Sequence, residues 1–100
     1  VDESSISEFI STQTFRIIQE AINNIQKHSE AKRIEIDIAQ AQSVITLKIR
    51  DNGKGFDINA GVRGNGIRNM EQRVKKCNGL IHIDSKINEG TFIDIKLPIK

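Results

Sequence analysis

A short acidic and glycine-rich segment carries the clearest chemistry in this sequence. Residues 51–56 (DNGKGF) follow an alternating apolar stretch, so Asp51 stands where a strand should end. A carboxylate accepts hydrogen bonds, and glycine backbone without side chains allows close approach by a flat nucleotide base. The alternative is a hairpin turn at Asn52-Gly53, but residues 55–61 lack the alternation of a returning strand. The segment therefore favours a ligand-contacting role for Asp51 over a purely structural turn.

A second glycine-rich segment leads directly into a predicted helix. Gly64, Asn65 and Gly66 precede the helical pattern, so free backbone N–H groups and the positive end of the helix dipole would face an anion. This arrangement suits a phosphate group. Ordinary capping of the helix by Asn65 explains the same residues without a ligand, so both interpretations stay open. Residues 56–65 show no regular period and predict a mobile loop.

A polar stripe runs along the first predicted helix. Glu20, Asn24 and Lys27 follow at spacings of four and three, which puts them on one side of a helix. An acid could orient a nucleophile, an amide oxygen could hold a hard divalent ion, and a cation could meet phosphate oxygens. The alternative is a solvated helix face. The pair Asn23-Asn24 in mid-helix costs stability, which argues against a purely structural stripe.

Two helices are predicted to position these groups. The first runs from about Phe9 to Lys27, and the second opens at Gly66 and stops at Asn78-Gly79. The apolar residues at helical spacing, which we expect to be buried, are Phe15, Ile18, Ile22 and Ile25, then Ile67, Met70, Val74 and Cys77. Residues 1–8 are polar and predict a flexible terminus before a domain that spans residues 9–100.

Four segments alternate between apolar and polar residues, which indicates β-strands with one polar face. Their apolar positions are Ile34, Ile36 and Ile38, then Ile45, Leu47 and Ile49, then Ile81 and Ile83, and finally Ile93, Ile95, Leu97 and Ile99. Pro98 marks the end or the edge of the last strand. The order of elements predicts an α/β two-layer sandwich, with a mixed, mostly antiparallel sheet that helices cover on one face.

The amino-acid composition limits the classes of protein to which this chain can belong. One hundred residues with 37% apolar content make one compact domain, and no apolar run approaches the roughly 18 residues of a membrane span. A net charge of +2, with no basic cluster interleaved with aromatics, gives no indication of nucleic-acid binding. His28, His82 and the single Cys77 have no zinc-site spacing, and Cys77 is expected to be a buried thiol.

The order and the residues of these segments resemble the motifs of a known family. Residues 20–29 (EAINNIQKHS) look like the N box, residues 51–56 like the G1 box and residues 64–73 (GNGIRNMEQR) like the G2 box of GHKL ATPases. Gly90-Thr91 and the alternating residues up to Pro98 resemble the last segment typical of that family, so the match spans about residues 14–98. The KHS ending of the first motif, the short loop and the MEQR run are most similar to bacterial two-component sensor histidine kinases with a short ATP lid.

This resemblance implies a Bergerat-fold catalytic domain that binds ATP and Mg²⁺. By the resemblance, Asp51 would accept a hydrogen bond from the adenine amino group, Thr91 would assist through water, and Asn24 would ligate Mg²⁺. Glu20 would orient or activate the attacking group. The other implied site residues are Gly53 and Gly55 beside the base, Lys27, His28 and Asn52 near the phosphates, and Gly64 and Gly66 at the lid and phosphate end.

The same resemblance implies partners outside this sequence. The γ-phosphate would pass to a histidine on a separate dimerisation domain of the full-length protein, and a response regulator would act downstream. Without dimerisation helices, we expect the fragment to be monomeric. We also expect the domain to be cytoplasmic, with any membrane anchor of the full-length protein in segments not present here.

Two alternative functions remain at this point. One is a serine kinase of the anti-sigma-factor type, and the other is a non-catalytic nucleotide-sensing module in which Glu20 is idle. Asn78 stands where the GHKL family often has a glycine. We expect this departure to affect the end of the second helix and not ATP binding.

Overall fold

The computed structural model describes residues 8–28, 32–55 and 65–99, with the backbone alone at 27–28 and 65–66. The elements, in chain order, are α1 (Glu8–His28), β1 (Ile34–Ala41), β2 (Val44–Asp51), α2 (Asn65–Lys76), β3 (Leu80–Lys86) and β4 (Gly90–Pro98). The strands form one sheet in the order β1-β2-β4-β3. Each neighbouring pair is antiparallel, which confirms the predicted two-layer sandwich with its mostly antiparallel sheet. The predicted terminus and mobile loop fall largely outside the described residues.

Alternation along the strands gives the sheet one apolar face, which we call the inner face, and one polar outer face. The register pairs Leu47 with Ile95 and Ile49 with Ile93, and all four side chains are almost completely buried. β-Branched residues suit such a pleated, packed surface. Side chains of both helices join the same hydrophobic core, so the helices cover the inner face. The intervening residues along each strand project from the outer face.

The buried stripe of α1 differs from the predicted one. The α1 side chains in the hydrophobic core are Ile10, Ile17, Ala21 and Ile25. Phe15 is 66% exposed, so its predicted burial was wrong. The reason is geometric, because Phe15 is two positions from Ile17 and thus about 160° around a helix of 3.6 residues per turn. Ile18 packs partly against the core and Ile22 is half-buried, so two overlapping apolar stripes exist and the structure buries the one around Ile17.

Helix α2 ends in a left-handed cap. Asn78 has a φ of +58°, a conformation that usually favours glycine at this position. The amide of Gly79 donates to the carbonyl of Val74 over 2.9 Å, and the amide of Asn78 donates to that of Lys75 over 3.0 Å. These two bonds form a Schellman motif, which satisfies carbonyls that the helix leaves unpaired. The predicted stop at Asn78-Gly79 is confirmed.

The buried side of α2 agrees with the sequence pattern. Its residues in the hydrophobic core are Ile67, Met70, Val74 and, just beyond the helix, Cys77. Cys77 is 3% exposed, and burial raises the pKa of its thiol above the ordinary value of 9.0. The prediction of a buried core thiol is confirmed. Separately, none of the helices that the structure describes is long and apolar enough to cross a bilayer.

Candidate functional site

Three polar side chains interrupt the inner face at one end of the sheet. The register sets Asp51 of β2 opposite Thr91 of β4, and Thr91 opposite Ser85 of β3. The next row along the same face is apolar and consists of Ile49, Ile93 and Ile83. Asp51 is 6% exposed and Ser85 is 5% exposed, so two polar side chains lie in a largely buried row. Buried polar groups are costly unless they find partners, which makes this row the candidate site. We call it the polar row.

The Asp51 carboxylate is held by the loop that follows it. Its Oδ1 accepts a hydrogen bond from the Gly53 amide over 2.8 Å, two residues further along the chain. Such a local bond is typical of an aspartate that ends a strand and begins a turn. A carboxylate can accept about four hydrogen bonds, so this contact leaves acceptor capacity for a ligand.

Thr91 and Ser85 share a hydrogen bond within the polar row. Their hydroxyl oxygens are 2.8 Å apart, and Ser85 Oγ also donates to the Gly90 carbonyl over 3.2 Å. Thr91 was predicted as a site residue, but Ser85 was missed. A signal was present in the sequence, because Ser85 occupies the apolar phase of β3 after Ile81 and Ile83.

Backbone contacts brace the loop after β2 against the turn between β3 and β4. Gly55 has a φ of +60°, and a Cβ there would overlap the carbonyl oxygen of Lys86. Gly90 has a φ of +95°, and a Cβ there would overlap the carbonyl oxygen of Asp51. The Asn88 amide also donates to the Lys54 carbonyl over 2.6 Å. This packing accounts for a glycine at position 55 without a ligand, a role that the sequence did not indicate.

Asn52 ties the same loop to the start of β1. Its Oδ1 accepts hydrogen bonds from the amides of Lys32 and Arg33, over 2.9 and 2.8 Å. The Asn52 amide in turn donates to the Arg33 carbonyl over 3.2 Å. The side-chain oxygen of Asn52 therefore holds the backbone at the start of β1. The position of Asn52 near the phosphates of a nucleotide stays a prediction.

Helix α1 carries two of the predicted site residues. Glu20 and Asn24 are half-buried and stand one position before the core residues Ala21 and Ile25. They are four residues apart, so they lie on the same side of α1 at the margin of its buried stripe.

The remaining predicted residues are defined only in part. Lys27 and His28 belong to the last turn of α1, and Gly66 to the first turn of α2, where the backbone alone is described. Gly64 lies outside the described residues. The structure thus brings together Asp51, Gly53, Gly55 and Thr91.

A cavity of about 370 Å³ opens at the same end of the sheet, but on the outer face. One row across the four strands lines it, namely Glu35, Arg50, Phe92 and Asp84. The Arg50 guanidinium stacks over the Phe92 ring, 4.8 Å from its centroid. Because side chains alternate between faces, Asp51 and Thr91 direct theirs to the inner face. Asp51, Ser85 and Thr91 of the polar row also border this cavity. Strand alternation directs their side chains to the opposite face, so the volume of the cavity is no argument for the predicted nucleotide site.

Known proteins with similar sequences are histidine kinases. A family model described as histidine kinase-, DNA gyrase B-, and HSP90-like ATPase matches residues 10–100. The signal transduction histidine-protein kinase/phosphatase DegS of Bacillus subtilis (strain 168) is 42% identical over 89 residues, which cover 85% of this chain and 23% of DegS. The sensor histidine kinase LiaS of the same organism is 32% identical over 100 residues, which cover 99% of this chain and 28% of LiaS. The chain thus spans between 23% and 28% of these relatives.

Solved structures share the fold. The histidine kinase AdeS of Acinetobacter baumannii superposes with a TM-score of 0.74 at 18% identity, over 89% of this chain and 47% of the AdeS chain. At such identity the likeness concerns the fold alone. The match of the family model over residues 10–100 establishes that the chain belongs to the histidine kinase-, DNA gyrase B-, and HSP90-like ATPase family.

Proposed function

We propose that this chain is the ATP-binding catalytic domain of a sensor histidine kinase. The observation that carries the proposal is the buried Asp51 carboxylate at the end of β2, held by Gly53 and set beside Thr91. Membership of an ATPase family supports ATP as the ligand. The names of DegS and LiaS favour histidine kinase activity over the serine kinase and the pure sensor.

The base of the nucleotide would sit against the polar row. Asp51 accepts a hydrogen bond from the adenine amino group, and Thr91 contacts the base directly or through one water. A nearly buried carboxylate should discriminate strongly between a base that donates a hydrogen bond to it and a base that does not, because a hydrogen bond to a charged group contributes about 1.5–3 kcal/mol. Gly53 supplies the amide that holds the carboxylate in place.

The phosphates would extend from the base towards α1 and the start of α2. Asn24 offers an amide oxygen of the kind that Mg²⁺ accepts. Within residues 8–28, 32–55 and 65–99, no group of three or more His, Cys, Asp or Glu side chains is placed so that it could hold a metal ion. A Mg²⁺ ion bound by one or two protein oxygens and by nucleotide phosphates needs no such cluster. When bound, the ion would neutralise charge on the phosphate oxygens. Lys27, His28 and Asn52, together with the backbone at Gly64 and Gly66, complete the proposed phosphate end.

Transfer would require a histidine from another segment of the full-length protein. A nitrogen of that imidazole attacks the γ-phosphorus, the bond to the β-phosphate oxygen breaks, and ADP leaves. Glu20 would orient the imidazole through its other N–H group. Phosphoryl transfer depends mainly on positioning and charge stabilisation, so nucleotide binding and transfer can be separated by mutation. A response regulator would receive the phosphoryl group afterwards.

Calorimetry with Mg-ATP tests the binding step. Asp51→Asn should weaken ATP binding by about ten- to a hundredfold, because the amide replaces a charged acceptor with a partial donor. Asp37→Asn is the matched control, because Asp37 is exposed on β1, away from the polar row, and its substitution removes the same negative charge. Absence of ATP binding by the unmodified chain, or equal affinity in both variants, contradicts the proposal.

A phosphotransfer assay separates the kinase from its rivals. The chain is mixed with a helical domain that bears a phospho-accepting histidine, or with a serine-bearing protein of the anti-sigma-antagonist type. Transfer to the histidine alone is expected. Glu20→Ala should lose transfer and keep most of its ATP affinity, whereas transfer to serine, or to neither acceptor, would favour one of the alternatives.

A further inference from the structure

Asn52 makes three hydrogen bonds to the backbone just before β1, and a contact with phosphates does not explain them. Its Oδ1 accepts from the amides of Lys32 and Arg33 over 2.9 and 2.8 Å, and its backbone amide donates to the Arg33 carbonyl over 3.2 Å. We call these three bonds the Asn52 clamp. An amide oxygen has two lone pairs, and the two donors occupy both. Asn52 Oδ1 therefore has no acceptor capacity left for Mg²⁺ or for a hydroxyl of the nucleotide.

The Asn52 clamp joins the loop after Asp51 to the part of the chain that follows α1. Strand pairing by itself already sets Ile34 opposite Asp51. From His28, the last residue of α1, Ile34 is six residues along the chain, whereas Lys32 is only four. At about 3.6 Å per residue, the clamp shortens the longest possible span from the end of α1 to an anchored residue from about 22 to about 14 Å. It therefore restrains the end of α1 relative to Asp51.

We infer that Asn52 is a positioning residue that fixes the spacing between the base end and the phosphate end of the proposed ATP site. Asp51 binds the base at one end, and Asn24 and Lys27, towards the end of α1, meet Mg²⁺ and the phosphates at the other. A ligand that contacts both ends binds only molecules in which this spacing fits, so its apparent affinity falls with the fraction of such molecules. This inference rests on the proposed function, because it requires ATP to reach from Asp51 to α1.

The exposure of the Asn52 clamp allows ATP affinity to be measured apart from folding. Asn52, Lys32 and Arg33 are all exposed. Truncation of the Asn52 side chain therefore leaves no cavity in the core, and water can bind the two amides that it releases. The hydrophobic core and the strand pairing do not depend on this side chain, so we expect Asn52 variants to fold.

The test compares two substitutions of Asn52 by calorimetry with Mg-ATP. Asn52→Ala removes the acceptor and should weaken ATP binding by about three- to tenfold, the factor that corresponds to one neutral hydrogen bond. Asn52→Asp keeps an oxygen that both amides can reach, so it should recover most of the affinity that Asn52→Ala loses. A direct contact between the Asn52 Nδ2 group and a phosphate predicts the opposite order, because a carboxylate there would repel the phosphate.

The same two changes at Asn78 are the matched controls. Asn78 follows α2 and precedes Leu80, at the end of β3 away from Ser85. Asn78→Ala should lower stability and Asn78→Asp adds the same negative charge, but neither should change ATP affinity. If Asn52→Ala does not fold, Asn52→Ser takes its place, because its hydroxyl oxygen is one bond closer to the backbone than Asn52 Oδ1.

Three results would overturn the inference. In the first, folded Asn52→Ala binds ATP as tightly as the unmodified chain. In the second, Asn52→Asp loses at least as much affinity as Asn52→Ala. In the third, Asn78→Ala weakens ATP binding as much as Asn52→Ala does, so that lowered stability alone accounts for the loss. Failure of the unmodified chain to bind ATP would instead contradict the proposed function.

Discussion

Gly55 shows how one residue can serve the fold and the site at once. The family resemblance gives it the role of leaving room for the base, whereas the structure packs it against the Lys86 carbonyl with a positive φ. Both roles require a glycine, so its presence in the sequence cannot separate them. Stability and ATP binding, measured on the same variant, can do so.

Gly55→Ala should lower the free energy of unfolding by more than about 2 kcal/mol. A positive φ alone costs a non-glycine residue about 1–2 kcal/mol, and the overlap with a backbone carbonyl adds to this. Urea denaturation measures the change, with exposed Lys54→Ala as the control. A variant of normal stability that no longer binds ATP would show that position 55 matters for the base alone.

The burial of Cys77 predicts low reactivity. Because burial raises the pKa of the thiol, less thiolate forms at a given pH in the folded chain than in the unfolded chain. A chromogenic disulfide reagent at pH 8 should therefore react far more slowly with native protein than with protein in concentrated urea. Since the folded pKa lies above the unfolded one, the thiol also favours the folded state less as the pH rises past 9.0. Equal reaction rates in the two states would contradict the buried position.

Among the helices, the sequence predicted the end of α2 correctly but predicted the buried face of α1 only in part. The stop of α2 was evident from Asn78-Gly79, because short-range backbone geometry decides it. The buried stripe of α1 was predicted wrongly at Phe15, because two apolar stripes overlap and only tertiary packing selects one. Strand alternation, in contrast, correctly located the end of β2 at Asp51. What local patterns could not indicate were contacts distant in sequence, such as Asn52 with Lys32, or Gly55 with Lys86.

Asn78 offers a direct test of the α2 cap. Asn78→Gly should raise the free energy of unfolding by about 0.5–1 kcal/mol, because glycine adopts a positive φ without a steric penalty. Asn78→Ala should lower it by about 1 kcal/mol for the converse reason. Chemical denaturation provides both values. We expect ATP affinity to be unchanged in both variants, and a parallel change in affinity would argue against a purely structural cap.

At the scale of the whole molecule, ligand binding should be visible as stability. A ligand that binds the folded chain alone, at a hundred times its Kd, adds about 2.7 kcal/mol to the free energy of unfolding. Mg-ATP should therefore raise the thermal midpoint, and removal of the metal with EDTA should reduce this shift if Mg²⁺ takes part in binding. A thermal scan of Asp51→Asn under the same conditions is the control. An identical shift with and without EDTA would contradict the proposed role of the metal.

The strand order β1-β2-β4-β3 also has a consequence for biosynthesis. Strand β4 comes after β3 in the chain yet lies between β2 and β3, so nothing joins β2 to β3 in the sheet until β4 has been made. A chain that emerges from the ribosome holds Asp51 well before Thr91, and the polar row cannot assemble until β4 has paired on both sides. Nucleotide in the cell can therefore act on this domain only after synthesis has passed β4. The stabilisation that we predict for bound ATP can therefore begin only when the sheet closes, and not during the early steps of folding on the ribosome.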